Sequence, residues 1–305
     1  MQVKLFLLHF FCLILLLSGA INGFPQTNHQ SYDPISSDPT TFDTEFPASM
    51  EPVTILSRGS KMNGLIYAAQ GKGLHPTVIL LHGFPGTELN LDLAQAIRRA
   101  GWNVLIFHYR GSWGSEGLFS FSNMLEDVPA AISFLRTAKI AKRYRVDSQQ
   151  IILIGHSMGG FAAIMSGLRD SSIRSVASIS GWNLGISGEE ASNDKKIYQK
   201  IVDEWRDNLA PLKIASAEAL ADDLVNHYSE WQLVKHAPEM SQKSLLLIAA
   251  RRDIFARNHT PVVKALQSIK ATDFKEVIIE SDHSYSDRRI ALANVIISWL
   301  DKQRQ

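Results

Sequence analysis

The chain has 305 residues, 45% of them hydrophobic and 20% charged, which is enough to bury one sizeable α/β core. Its formal charge is +1, and removal of Lys4 with the first segment brings the basic residues level with the 30 acidic ones. That balance excludes a general electrostatic attraction to nucleic acid or to an anionic membrane.

In chain order, the first segment is MQVKLFLLHFFCLILLLSGA. One basic residue, Lys4, precedes an apolar run from Leu5 to Leu17, and the small residues Ser18, Gly19 and Ala20 follow. This layout predicts a secretory signal peptide over residues 1–20, cleaved near Ala20 or Gly23, and an exported protein, periplasmic or secreted. An uncleaved membrane anchor is the alternative, although the run falls short of the roughly 20 apolar residues that span a bilayer. Cys12 is the only cysteine and lies in that run, too early to be a lipoprotein cysteine. The mature chain is therefore expected to hold no disulfide, no cysteine nucleophile and no thiolate metal site. Export without disulfides suits a bacterial periplasm at least as well as a eukaryotic secretory route.

Residues 24–50 are rich in Pro, Ser, Thr and Asp without periodicity, so 21–50 read as an extended linker or arm ahead of one domain over 51–305. From Val53 onward short apolar runs alternate with helical patterns. VTILS, LIYAA, TVILL, NVLIF, IILI, SVASIS, LLLIAA and FKEVII read as strands, several continuously apolar as buried parallel strands are. Between them, LNLDLAQAIRRAG reads as a helix with Arg98 and Arg99 in its last turn and Gly101 as its stop. NMLEDVPAAISFLRTAK reads as a helix that tolerates Pro129 near its first turns, and a last helix runs from about Asp287 to Leu300. The alternation predicts an α/β fold with an eight-stranded, mostly parallel sheet and helices on both faces.

Residues 182–242 break the alternation and read as a helical cap insertion, helical throughout from Glu204, with Ser216 as an N-cap. Leu220, Leu224, Tyr228 and Trp231 share one face, which is either the packed face of the insertion or a pocket lining. Trp182, Trp205 and Trp231 are the candidates to line an apolar pocket. The triplet Asn258-His259-Thr260 matches a glycosylation sequon, but such triplets are common by chance and Pro261 follows directly.

The segment IILIGHSMGGFAAIMSG, Ile151 to Gly167, carries the chemistry. Gly155-His156-Ser157-Met158-Gly159 fits G-x-S-x-G, a sharp strand-to-helix turn that lifts a serine hydroxyl above the sheet edge. Side chains two positions either side of the serine would clash, hence the glycines. The helix that follows offers unpaired N–H groups and a partial positive charge. A phosphate-binding loop is the competing reading, but neither Gly-Lys-Ser/Thr nor G-x-G-x-x-G is present.

A serine hydroxyl needs a base, and the base needs a carboxylate to fix its tautomer. In chain order after Ser157, Asp253 follows LLLIAA by a short polar step and His283 follows FKEVII in the same way. Both sit where an open α/β sheet presents its site. Asp282 is a rival acid, disfavoured because adjacent side chains on a turn seldom face each other. His227, His236 and His259 are rival bases; the first two lie in the insertion and the third follows no strand. For the oxyanion, His82-Gly83-Phe84-Pro85-Gly86 follows TVILL; Pro85 has no N–H, so the Phe84 amide is the donor to pair with that of Met158. His82 reads as a structural hydrogen-bonding residue.

Together LLHGFPG, YRGSWGSEG, GHSMGG, AARRD and SDHSYS resemble the α/β-hydrolase superfamily over nearly all of Val53 to Leu300. The resemblance is to its serine aminopeptidase and monoacylglycerol-lipase-like branch, with prolyl-oligopeptidase-type hydrolases close by. It implies Ser157 as nucleophile, Asp253 as acid, His283 as base, and Phe84 and Met158 as oxyanion donors. The chain departs from that branch at His108, where Asp or Asn is frequent, and at Ala250, where Gly is. The expected function is hydrolysis of a carboxylic ester through an acyl-enzyme, with no metal or organic cofactor. A serine peptidase is the alternative, and a binding protein on an inactive hydrolase fold comes third. The expected partner is a small acyl substrate or short peptide, with no nucleic acid and, after signal cleavage, no integral membrane association.

Overall fold

The computed structural model describes residues 32–304, so the expected signal peptide, its cleavage site and Cys12 lie outside the described residues. Strands β1 (Ser49–Ser57) and β2 (Ser60–Ala68) form an antiparallel hairpin. Its turn is Arg58-Gly59 with φ of 48° and 81°, two left-handed residues whose twist matches that of the strands. Six further strands follow: β3 (His75–Leu81), β4 (Asn103–Phe107), β5 (Val146–His156), β6 (Ser175–Ile179), β7 (Ser244–Ala250) and β8 (Phe274–Ile279). The sheet order is β1-β2-β4-β3-β5-β6-β7-β8, with β2 antiparallel to β4 and parallel pairing from β4 to β8.

The helices are α1 (Leu91–Arg99), α2 (Phe121–Arg136), α3 (Ala138–Tyr144), α4 (Met158–Arg169), α5 (Leu184–Asn193), α6 (Lys195–Asn208), α7 (Ala217–His227), α8 (Ala237–Met240), α9 (Ala256–Ser268) and α10 (Arg289–Asp301). Strand alternation divides the core between them. Val78 and Leu80 point to one side, with Leu93 and Ile97 of α1 and Leu292 and Ile296 of α10. Ile79 and Leu81 point to the other, with Val128 of α2, Phe161 of α4 and Leu266 of α9. Each fully buried aliphatic side chain contributes about 1.5–3 kcal/mol, so the sheet is fixed from both faces.

The chain leaves β3 to make β4 on one flank and returns to make β5 on the other. This is the point where strand order reverses, and an open parallel sheet has its crevice at the carboxyl ends of the strands there. The turn after β3 and Ser157 after β5 both fall at it.

Four differences from the sequence expectations have local causes. Strand β1 starts at Ser49, inside the stretch assigned to the linker, because it pairs with β2 as far as Ala68. The preceding residues form no helix or strand but are tied down: the Tyr32 hydroxyl donates to the Arg99 carbonyl at 2.5 Å, and Arg99 Nε donates to the Pro34 carbonyl at 2.7 Å. Pro129 lies in the middle of α2 rather than near its start, since the helix begins earlier, where the Ser120 hydroxyl accepts from the Asn123 amide at 3.0 Å. The cap is not helical throughout from Glu204: 228–232 form a turn, and 209–216 leave the helix. Pro211 cannot donate within a helix, and the segment instead bonds to the loop after β4, with Trp113 N to the Pro211 carbonyl, Lys213 N to the Gly111 carbonyl and a bridge between Ser112 and Leu212. Ser216 does cap α7, accepting from the Ala219 amide at 3.0 Å.

Candidate active site

Ser157 lies between β5 and α4 with φ 56° and ψ −122°, a left-handed conformation disfavoured for a residue with a Cβ. The glycines around it make the turn possible. A Cβ on Gly155 would overlap the Gly159 carbonyl, and one on Gly159 would overlap the Leu81 carbonyl. The turn is pinned by the Ser157 amide to the Ile179 carbonyl at 2.9 Å and the Trp182 amide to the Ser157 carbonyl at 3.0 Å. Met158 opens α4, so its N–H has no acceptor within the helix.

Asp253 and His283 come together from the loops after β7 and β8. His283 Nδ1 is 2.8 Å from Asp253 Oδ2, and the other carboxylate oxygen accepts from the Phe255 amide at 2.8 Å. The Asp253 side chain is 1% exposed and that of His283 30%. Burial alone would raise the Asp253 carboxyl, but the hydrogen bonds from His283 and Phe255 outweigh it and hold the group below its ordinary range. An ionised Asp253 accepting from Nδ1–H leaves His283 Nε2 as the free basic nitrogen. The Ser157 hydroxyl makes no hydrogen bond among the described residues. What joins His283 to the serine turn is His156, whose Nε2 is 2.8 Å from the His283 carbonyl, with ring centroids 4.7 Å apart.

The rivals are engaged elsewhere. Asp282 accepts from the Ser286 amide at 2.9 Å and so closes its own turn. His227 Nδ1 bonds the Asp223 carbonyl at 2.9 Å, His236 Nε2 the Glu230 carbonyl at 2.8 Å, and His259 Nε2 the Glu276 carboxylate at 2.8 Å.

The turn after β3 presses against the serine. A Cβ on Gly83 would lie 2.9 Å from Ser157 Cβ and 3.5 Å from its Oγ. His82 Nδ1–H donates to the Gly83 carbonyl at 2.7 Å and so braces the peptide that leads to the Phe84 amide. Burial drives the His82 pKa down to about 3, so its ring is a neutral donor. The Phe84 amide has no hydrogen-bond acceptor among the described residues. Together with the Met158 amide it is a free donor beside the serine.

Aromatic rings wall the site. Phe84 lies 5.5 Å from Phe121, and Phe119, Trp182 and Trp205 each approach both of them, with centroids 5.4–6.0 Å apart. Phe255 joins this wall to the base, 5.7 Å from Trp182 and 5.2 Å from His283. Of the three tryptophans proposed to line a pocket, Trp182 and Trp205 pack into this aromatic wall beside the site. Trp231 instead packs on Phe161 and His227, within the buried face made by Leu220 and Leu224. The contributions of His156, Phe121 and Phe255 escape sequence reading. Only the adjacency of His156 to Ser157 and of Phe255 to Asp253 could have flagged two of them.

Comparison with known proteins is consistent with this architecture. A family profile described as alpha/beta hydrolase fold matches residues 76–278. Protein YfhR of Salmonella typhimurium is 26% identical over 274 residues, covering 80% of this chain and 85% of YfhR. Among solved structures, the Pyrococcus furiosus esterase Pf2001 superposes with a TM-score of 0.60 at 19% identity, covering 86% of this chain and 92% of the esterase. The Pyrococcus horikoshii acylaminoacyl peptidase superposes with a TM-score of 0.61 at 14% identity, over 84% of this chain and 42% of the peptidase.

Proposed function

The chain belongs to the α/β-hydrolase fold family, and on that premise we propose that it is a serine hydrolase cleaving carboxylic esters through Ser157, Asp253 and His283. The supporting observation is the Asp253–His283 hydrogen bond at 2.8 Å, formed beside a serine in the strained strand-to-helix turn. Family membership alone does not carry chemistry; the constellation does.

In the proposed reaction His283 Nε2 takes the Ser157 proton as Oγ bonds to the ester carbonyl carbon. The carbonyl oxygen becomes an oxyanion between the Phe84 and Met158 amides, fixed donors that need no reorientation as charge develops. Collapse breaks the bond to the alkoxy oxygen, which leaves as the alcohol with the proton held by His283. A water then gives its proton to His283 and its oxygen to the acyl carbon. Release of the carboxylic acid returns the proton to Ser157. Asp253 stays ionised throughout and stabilises the imidazolium.

The test is covalent labelling by a fluorophosphonate, which reacts with an activated serine. Wild-type protein is expected to be labelled at Ser157, whereas Ser157→Ala is not labelled. His283→Ala is expected to label at least about 100-fold more slowly, the contribution of a positioned base. Folded wild type that resists the probe, or label found on another serine, would overturn the assignment.

A further inference from the structure

The aromatic wall bears on what the site accepts. Phe84 and Phe121 form a pair against which Trp205, carried on α6, lies with centroids 5.4 and 5.7 Å away. Trp182 and Phe119 complete the ring of neighbours, and Trp182 and Trp205 are each 8% exposed, so the wall is closed. Its position is set by the chemistry beside it. Phe84 carries the candidate oxyanion amide, Trp182 N donates to the Ser157 carbonyl, and the Phe255 ring contacts His283. An acyl group approaching Ser157 along this wall meets ring faces and edges, with His283 beside Phe255.

Five carboxylates of the cap have partners of their own. Glu190 pairs with Arg257, Glu218 with Arg206, and Asp222 accepts from the Tyr198 hydroxyl. Asp194 caps α6 through the Lys196 amide, and Asp223 accepts from Ser122. A free α-ammonium on a substrate would meet ring surfaces along this wall, where loss of hydration is costly to a charge. The chain after α6 is stapled to the loop following β4 by the Trp113, Lys213 and Phe119 main-chain bonds. Trp205 lies upstream of that staple, on a helix whose Lys195, Lys196 and Lys200 face solvent.

Resting on the serine-hydrolase reading above, we propose that Trp205 occupies the acyl subsite and that the substrates are esters of uncharged acids bearing an aromatic ring. The incoming ring takes the place of Trp205 against Phe84 and Phe121. That exchange replaces one set of tilted ring contacts by another, whereas a linear alkyl chain offers no ring to Phe84 and Phe121. Trp205 is therefore a specificity-determining residue, and its removal opens the wall to longer chains.

The experiment measures kcat/KM for p-nitrophenyl acetate, phenylacetate and octanoate, and for an aminoacyl p-nitroanilide with a free amine. Wild type, Trp205→Ala and Trp205→Phe are compared, a separate aliquot of each being tested for fluorophosphonate labelling. Wild type is expected to prefer phenylacetate over octanoate by about tenfold or more, in the range that apolar pockets achieve, and to leave the anilide uncleaved. Trp205→Ala is expected to gain about tenfold on octanoate relative to acetate, while Trp205→Phe, which keeps a ring, stays close to wild type. Parallel changes on all three esters, wild-type preference for octanoate, or faster cleavage of the anilide would overturn the proposal even with Ser157 labelled. Absence of labelling would instead remove the serine-hydrolase reading, and this inference with it. Should Trp205→Ala not fold, the wild-type preferences and Trp205→Phe still decide.

Discussion

His156 precedes the serine, and its ring links two loops. Nε2–H donates to the His283 carbonyl, while Nδ1 is buried without a partner. Desolvation, together with the neighbouring His283, lowers the His156 pKa to about 4, so the ring is neutral near pH 7 and works as a donor rather than as a base. His156→Leu keeps the bulk and removes the donor, leaving the carbonyl of the base unpaired. A net hydrogen bond of about 0.5–1.5 kcal/mol corresponds to a loss of roughly 2- to 12-fold in kcat/KM, with His156→Gln intermediate if its amide reaches the same carbonyl. A folded His156→Leu protein with unchanged kcat/KM and labelling rate would show that His283 is positioned without it. No pattern in the sequence marks this role, because the bond joins residues 127 apart. Ser157, Asp253 and His283 were legible for the opposite reason: each follows an apolar strand by a short step, and strand ends at one sheet edge converge by construction.

At the scale of elements, the cap depends on close helix approach. A Cβ on Gly188 of α5 would overlap the Leu224 carbonyl of α7 and crowd the Tyr228 side chain, and one on Gly185 would meet the Trp231 backbone. Backbone cannot yield as a flexible side chain does. Gly188→Ala is therefore expected to cost about 1–3 kcal/mol, as overpacking does, despite the better helix propensity of alanine. The cost should appear as a lower urea midpoint and faster proteolysis between α5 and α7. A midpoint equal to or above that of wild type would mean the helices separate without loss. The strands were readable as apolar runs, and the helices between them by their caps. Two features were not: Pro129 sits mid-helix because α2 begins earlier at its Ser120 cap, and 209–216 leaves the helix to pair with a loop around Ser112. The second is decided by partners remote in sequence, of which local propensity carries no record, whereas the Ser120 cap is local and marks an earlier start than the apolar pattern suggested.

At the scale of the molecule, buried neutral imidazoles make stability depend on pH. His82 stays neutral down to about 3 and His156 down to about 4, both through desolvation. In the unfolded chain each takes a proton near the ordinary imidazole value of about 6.5. The unfolded state therefore binds more protons in that window, and stability falls as pH drops below about 6.5, by up to about 1.4 kcal/mol per unit for each ring. The fall levels off once the folded-state values are passed. Burial lowers His75 and His108 in the same sense, and the Asp253 carboxyl, held below its ordinary range by its hydrogen bonds against the effect of burial, also loses stability in acid. Urea midpoints should decline from pH 7 to pH 4.5, and a flat profile would contradict neutral burial of these rings. The arm has a consequence of another kind. Tyr32 is fastened to the carbonyl of Arg99, at the end of α1, and α1 begins at the carboxyl edge of the sheet and runs back to the opposite one. A chain immobilised on a bead or electrode through this arm is gripped on the far side from Ser157, so the catalytic face looks outward and the support does not obstruct it.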